Sequence, residues 1–346
     1  MEILFNRSPM DQFVYQYGFH ADSPRDSEFD PYQLDSLHEM ALKAARSDAA
    51  HQYLEYYDVV NYAEKTLVYP LLEGTSSWSD EDQQREALIL SSSFQVVFLE
   101  TLRLLDEIEA SCEEDDSDED RHAVVDSVAA LLIGSLEGAS LAGSSDIQDG
   151  ILAWNLGSRH AFQFQTLSSS SHGNVNQDLI DELYALKSEI DSGVCSRVSR
   201  SAMNIRGLIQ TGMLQSIVAA SLQIEKDRED TSSIYVVQAH VLTTALLPLI
   251  HQQDPETAEF LRENLVMRPG VDMVKEGASA VSAAVTDYVQ NELLLSPCHY
   301  LGSASSLECH QYRDTVHHPG SSGGTHLVPS VVVATAGILA AMFLFG

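Results

Sequence analysis

Residues 85–109 read REALILSSSFQVVFLETLRLLDEIE, and the period of their apolar side chains decides the fold class. Apolar residues that recur every three to four positions line one face of a helix, whereas a half-buried strand alternates every second residue. The same helical spacing recurs upstream at Leu34, Leu37, Met40, Ala41 and Ala44, then at Leu54, Tyr57, Val60, Tyr62, Leu67 and Leu71. Downstream, helices are expected near 122–136, 147–165, 177–191, 200–226, 232–252, 256–266 and 270–292, with Pro248 kinking the 232–252 helix. Period-2 runs are scarce, and no Asn-Gly or Asp-Gly turn joins alternating segments. The expectation is an all-α antiparallel helical bundle.

Organisation follows from shifts in composition. Residues 1–31 are a polar arm, and 32–292 form the helical domain. The segments starting at Leu71 and Leu222 each pass from an apolar helix through an acidic Ser/Thr linker into a second apolar helix. This suggests two related halves, 32–170 and 171–292. The run 113–120, EEDDSDED, is expected to be a solvated loop. Residues 293–326 form a Cys-containing Gly/Ser linker, and 327–346, LVPSVVVATAGILAAMFLFG, carry no charge. As a helix this last segment would span roughly 30 Å, the thickness of a hydrocarbon core. It is read as a membrane anchor helix or a removable GPI signal. Residues 1–16 lack a basic n-region and a long apolar h-region, so no signal peptide is recognised there. Either a first exon is missing from this sequence or the protein is tail-anchored and faces the cytosol.

Charge and motifs remove several function classes. With 19 Lys+Arg against 51 Asp+Glu, the net charge is −32, which repels phosphate backbones and argues against nucleic-acid binding. There is no phosphate loop and no dinucleotide turn. His38-Glu39 lacks the second histidine of a metalloprotease helix, and the formal GxSxG at 320–324 lies in the linker rather than on a strand-to-helix elbow. The chain is therefore read as a non-enzyme. Four cysteines are too few for a disulfide scaffold; Cys298 and Cys309 are read either as a local disulfide or as unpaired buried thiols.

Two constellations are rich in oxygen donors. In 51–65, HQYLEYYDVVNYAEK, the residues His51, Glu55, Asp58 and Tyr62 fall at i, i+4, i+7 and i+11, one stripe of a helix, with Tyr57 beside it. Phenolate, carboxylate and imidazole suit ferric iron, while an amphipathic helix boundary is the structural alternative. The second is Gly134-Ser135-Leu136-Glu137-Gly138, followed by Asp146 and Asp149, and then by Arg159, which is able to grip an anion with two prongs. Glu137 either binds something or faces solvent at a helix end.

The segment GSLEGASLAGSSDIQDGILAWNLGSRHAFQF with the following Val175-Asn176 resembles the Gly-Ser-Leu/Ile-Glu-Gly segment of the algal iron-assimilation and phytotransferrin-like proteins. The earlier YYDVVNYAEKTLVYPLLEGT resembles that family's Tyr-Tyr-Gly-x-Pro-Asp-Tyr-Ala-Asp-Lys segment, and the likeness covers roughly residues 40–290. Asn61 stands where the family has an acidic residue, and Phe162 to Thr166 stand where it has cysteines. The family's Glu-containing helix corresponds to Tyr235 to His240 here. The resemblance implies ferric iron bound at the cell surface for uptake, with carbonate as companion anion. The implied ligands are Tyr57, Asp58, Tyr62, Glu137 and Asp149, with Arg159 holding the anion. The Tyr57–Tyr62 and Glu137–Asp149 segments are then expected to meet in one cleft. A membrane-anchored helical scaffold or adhesion protein without a metal is the competing reading.

Overall fold

The computed structural model describes residues 40, 43–45, 47–59, 62, 78, 80–112, 118–133, 152–168, 173–227, 233–268, 271–307 and 309. About ten helices pack together. There is no strand among the described residues; only the isolated bridges Leu167–Gly173 and Arg268–Val271 pair extended backbone. The all-α expectation is met. The arm 1–31, the Glu137–Asp149 segment, the apolar C-terminal segment and residues 113–117 of the acidic run lie outside the described residues, whereas 118–120 of that run, expected as loop, open the helix Asp118–Ile133.

In chain order the helices are α1 (Asp48–Tyr57), α2 (Glu81–Ser91), α3 (Phe98–Cys112), α4 (Asp118–Ile133), α5 (Ala153–Arg159), α6 (Asn174–Ser192), α7 (Cys195–Lys226), α8 (Ile234–Gln253), α9 (Pro255–Leu265), α10 (Ala278–Asn291) and α11 (Pro297–Tyr300). A π-helical turn, Ser92–Val97, joins α2 to α3 within one continuous rod. Side-chain caps fix two of the helix starts, one of them, at Glu81, four residues before the helix read from Arg85. Asp80 accepts from the backbone of Asp82 and Gln83 to start α2, and Asp254 accepts from Thr257 to start α9, whose Pro255 needs no backbone donor. Gly193, at φ 64°, ends α6 and turns the chain into α7.

The 32-residue α7 is the centre of the core: α3, α5, α6, α8 and α10 all pack on it, and Leu208, Met213, Leu214 and Ile217 along it are buried. Helix α8 lies beside it, covered by α1, α2 and α9. The rod 81–112 and α8 are each long and apolar enough to cross a bilayer, but 78% of each apolar window is buried inside the protein, so both are core helices.

Two expectations on helix extent change. The helix read at 147–165 is helical only over Ala153–Arg159 among its described residues, because 160–165 fold into turns and Gln165 takes a left-handed φ of 59°. The helix read from 270 begins at Ala278, since Val274 (φ 52°) and Gly277 (φ 89°) bend the chain before it.

All four cysteines are bonded. Cys298–Cys309 closes a local loop, as one of the two alternatives has it, and Cys112–Cys195 joins the end of α3 to the start of α7, a pairing with no signature in the sequence. Residues 297–304, in the span read as a linker, pack on the body: Leu301 and Ala304 are buried, and the Ser303 amide donates to the Phe164 carbonyl at 2.9 Å.

Candidate metal and anion site

Helix α1 starts at Ser47, whose hydroxyl accepts from the Ala50 amide at 3.1 Å, and stops at Asp58, which takes a left-handed φ of 53° while its amide donates to the Leu54 carbonyl. An aspartate tolerates that conformation better than most residues. The stop corrects the stripe read from the sequence: His51 and Glu55 lie on α1, but the helix does not carry the register on to Tyr62. Asp58 caps α1 and is exposed.

Tyr62 meets α1 through its ring, which stacks on Tyr57 at 3.7 Å between centroids and 15° between planes. Tyr57 also donates to the Thr244 carbonyl on α8 at 2.7 Å, and Tyr53 donates to the neighbouring Ala245 carbonyl. Pro248 explains why the Thr244 carbonyl needs an outside donor. It lies four residues after Thr244 within α8 and has no N–H to return to it. From the π turn, Gln95 adds donations to the Val241 carbonyl and to the Thr244 hydroxyl. Tyr57 thus fills the gap that the proline leaves, while Tyr53 and Gln95 add further donations to α8.

Beside this contact, α1, α8 and α9 enclose a cleft of about 650 Å³, within the usual range for small-ligand sites. Glu55, Tyr56 and Tyr57 come from α1, His251 from α8, and Glu259 and Arg262 from α9. The Tyr56 ring meets Tyr57 at 4.8 Å and 86°, and His251 at 5.1 Å and 63°. Arg262 grips Glu259 with two donors, at 2.8 and 2.5 Å, in a solvent-exposed pair. Among the described residues no ion pair reaches Glu55.

Electrostatics keep these phenols protonated. Burial, and then the neighbouring rings of Tyr62, Tyr53 and Tyr56, hold the Tyr57 phenol well above its ordinary value. Burial also raises Tyr56; Arg262 opposes that shift, while Glu259 and Tyr62 add to it. A protonated phenol is a hydrogen-bond donor, which is the role Tyr57 plays toward Thr244.

The sequence-derived ligand set divides accordingly. Tyr57 lines the cleft, Tyr62 stacks behind it, and Asp58 sits at the helix end. Arg159 ends α5, donates to the Asn155 side chain at 3.1 Å, and lines no part of the cleft; its helix packs on α4, α6 and α7. Glu137 and Asp149 lie outside the described residues, so their expected meeting with Tyr57 falls there too. Among the described residues no group of three His, Cys, Asp or Glu side chains is placed to hold a metal ion. Sequence reasoning missed Tyr56, His251, Glu259 and Arg262 as one site. The only available signal was the pair Tyr56-Tyr57, since α8 and α9 enter the chain almost two hundred residues later.

No protein-family model matches the chain, and no curated protein or solved structure matches it.

Proposed function

We propose that this chain is a cell-surface protein that binds ferric iron for uptake, with carbonate as companion anion, and is tethered by an anchor helix at 327–346. The two-half bundle belongs to the same proposal. The observation that supports it is the donor chemistry of the α1/α8/α9 cleft, where two phenols, two carboxylates, an imidazole and a guanidinium share one wall system. Hard trivalent iron prefers anionic oxygen, with imidazole as a borderline partner. In this reading Tyr57 and Tyr56 supply oxygen, Glu55, Glu259 and His251 line the same cleft but are not placed around one ion and must move to meet it, and Arg262 takes the anion-holding part that the resemblance gave to Arg159. Glu137 and Asp149 remain ligands implied by the resemblance alone. Four cysteines in two disulfides suit the oxidising exterior.

Binding costs protons. Tyr57 exchanges its donation to Thr244 for a metal bond, and both phenols, raised by burial, must ionise. Affinity therefore falls as pH falls, which favours release into an acidified compartment. The test is metal analysis of the full chain in non-ionic detergent, purified without a metal-affinity tag and equilibrated with ferric citrate at pH 7.5. Stoichiometric iron is expected, lost on Tyr57→Phe and on Glu259→Gln and released near pH 5. A chain that retains no iron at pH 7.5 sinks the proposal.

The second reading, a membrane-anchored scaffold without a metal, draws on one observation: the Tyr53 and Tyr57 phenols are already committed to the α8 carbonyls around Pro248. In that reading the tyrosines are packing devices, and iron is absent at every pH.

A further inference from the structure

The α1/α8/α9 cleft presents aromatic rings as well as oxygen donors. Tyr56 stands steeply against both Tyr57 and His251, with centroid separations of 4.8 and 5.1 Å, so three rings form a corner small enough for one compact cation to reach more than one of them. A cation within about 6 Å of a ring centroid is attracted by the ring's quadrupole, and the attraction grows when water is excluded. Stacking on Tyr62 and the bond to the Thr244 carbonyl fix the Tyr57 ring before any ligand arrives. A preset ring loses little entropy on binding.

The charge in the cleft has the matching sign. Glu259 and Arg262 neutralise one another through their two-pronged pair, leaving Glu55 as a carboxylate without an ion-pair partner among the described residues. The chain as a whole carries −32, which draws cations toward it. From the ring corner, the preset Tyr57 and the unpaired Glu55 we infer that the cleft binds an organic ammonium cation, a quaternary or primary amine of a few carbons, with Tyr56 as the principal cage ring and Glu55 as counter-charge. The upward shift of the Tyr56 and Tyr57 phenols agrees, since a protonated ring keeps its neutral face.

This inference uses the cleft assigned to iron but not the iron reading itself, and one substitution separates them. Tyr56→Phe keeps the ring and deletes the oxygen, while Tyr56→Leu deletes both. The full chain in non-ionic detergent, free of choline headgroups, is titrated calorimetrically with tetramethylammonium chloride against a sodium chloride control. Saturable binding is expected in the parent. It should be retained within twofold in Tyr56→Phe, weakened about fivefold or more in Tyr56→Leu, and weakened in Glu55→Gln. Circular dichroism checks that each variant is folded. No saturable heat beyond the sodium control, or binding that is lost in a folded Tyr56→Phe, overturns the inference. If ferric iron binds while tetramethylammonium does not, this inference falls and the iron proposal stands; the opposite result supports this inference and sinks the iron proposal.

Discussion

Thr244 lacks the backbone donor it would have in an ordinary helix because position 248 is proline, and the Tyr57 hydroxyl fills that gap at 2.7 Å. The two residues should therefore be energetically coupled although 187 positions separate Tyr57 from Thr244. Tyr57→Phe leaves a buried carbonyl without its side-chain donor, at a cost of about 1–3 kcal/mol. In a Pro248→Ala background the backbone N–H at 248 can satisfy Thr244, so the same change should cost clearly less. A double-mutant cycle in urea reads the coupling directly, and equal costs in both backgrounds would contradict this account. The sequence offered Tyr57 and Pro248 separately, one as a ligand candidate and the other as a kink. Their connection was illegible because it runs through a backbone carbonyl, which has no residue signature. The stripe from His51 to Tyr62 failed for a related reason. Its arithmetic assumed helix beyond Tyr57, and the left-handed Asp58 that ends α1 carries no glycine to announce the stop.

Helices were legible where a long apolar or amphipathic run continued over several turns, even without a side-chain cap, as at Gly173 before α6. The spans expected at 177–191, 232–252 and 256–266 appear as α6, α8 and α9 with ends shifted by a few residues. The π turn at Ser92–Val97 was not legible, since one additional residue in a turn leaves the apolar pattern almost unchanged. How elements approach one another is harder still to read, and the crossing of α5 over α6 and α7 shows why. A β-carbon at Gly157 would lie 2.3 Å from Oδ1 of Asn176, a fully buried side chain whose amide is tied to the Trp154 carbonyl and the Ser158 hydroxyl. Gly157→Ala must therefore move a pinned group and should cost about 1–3 kcal/mol. At Gly212 on α7 the nearest atoms to a new β-carbon are 3.8 Å away, an ordinary contact. Gly212→Ala should be neutral or stabilising by up to about 1 kcal/mol, because alanine suits a helix interior better. Denaturant midpoints of the two variants should move apart, and a Gly157→Ala protein as stable as the parent would mean the crossing is looser than described.

At the scale of the whole molecule, the two disulfides constrain very different lengths of chain, and their contributions should differ accordingly. Cys112–Cys195 spans a sequence separation of 83 and encloses α4, α5 and α6 before the chain enters α7, the helix on which most of the core is built. Cys298–Cys309 spans only 11 and closes a loop at the edge of the body. In the chain-entropy account, a closed loop of the first size destabilises the unfolded state by about 4.5 kcal/mol. One of the second size does so by about 3 kcal/mol. Replacing Cys112 and Cys195 together by serine should therefore lower the unfolding free energy by more than replacing Cys298 and Cys309. The difference should widen in kinetics if α3 and α7 meet late, because a crosslink absent from the folding transition state then acts on the unfolding rate. Equilibrium unfolding in guanidinium of the parent and both double variants measures the order. Reduction of the parent should reproduce the sum of the two losses, since the bridges lie in separate parts of the body and share no partner. If the short loop proves the costlier to open, native packing around Pro297–Ala304 outweighs chain entropy, and the 297–304 segment is a structural keystone of the α7/α10 face rather than an edge closure.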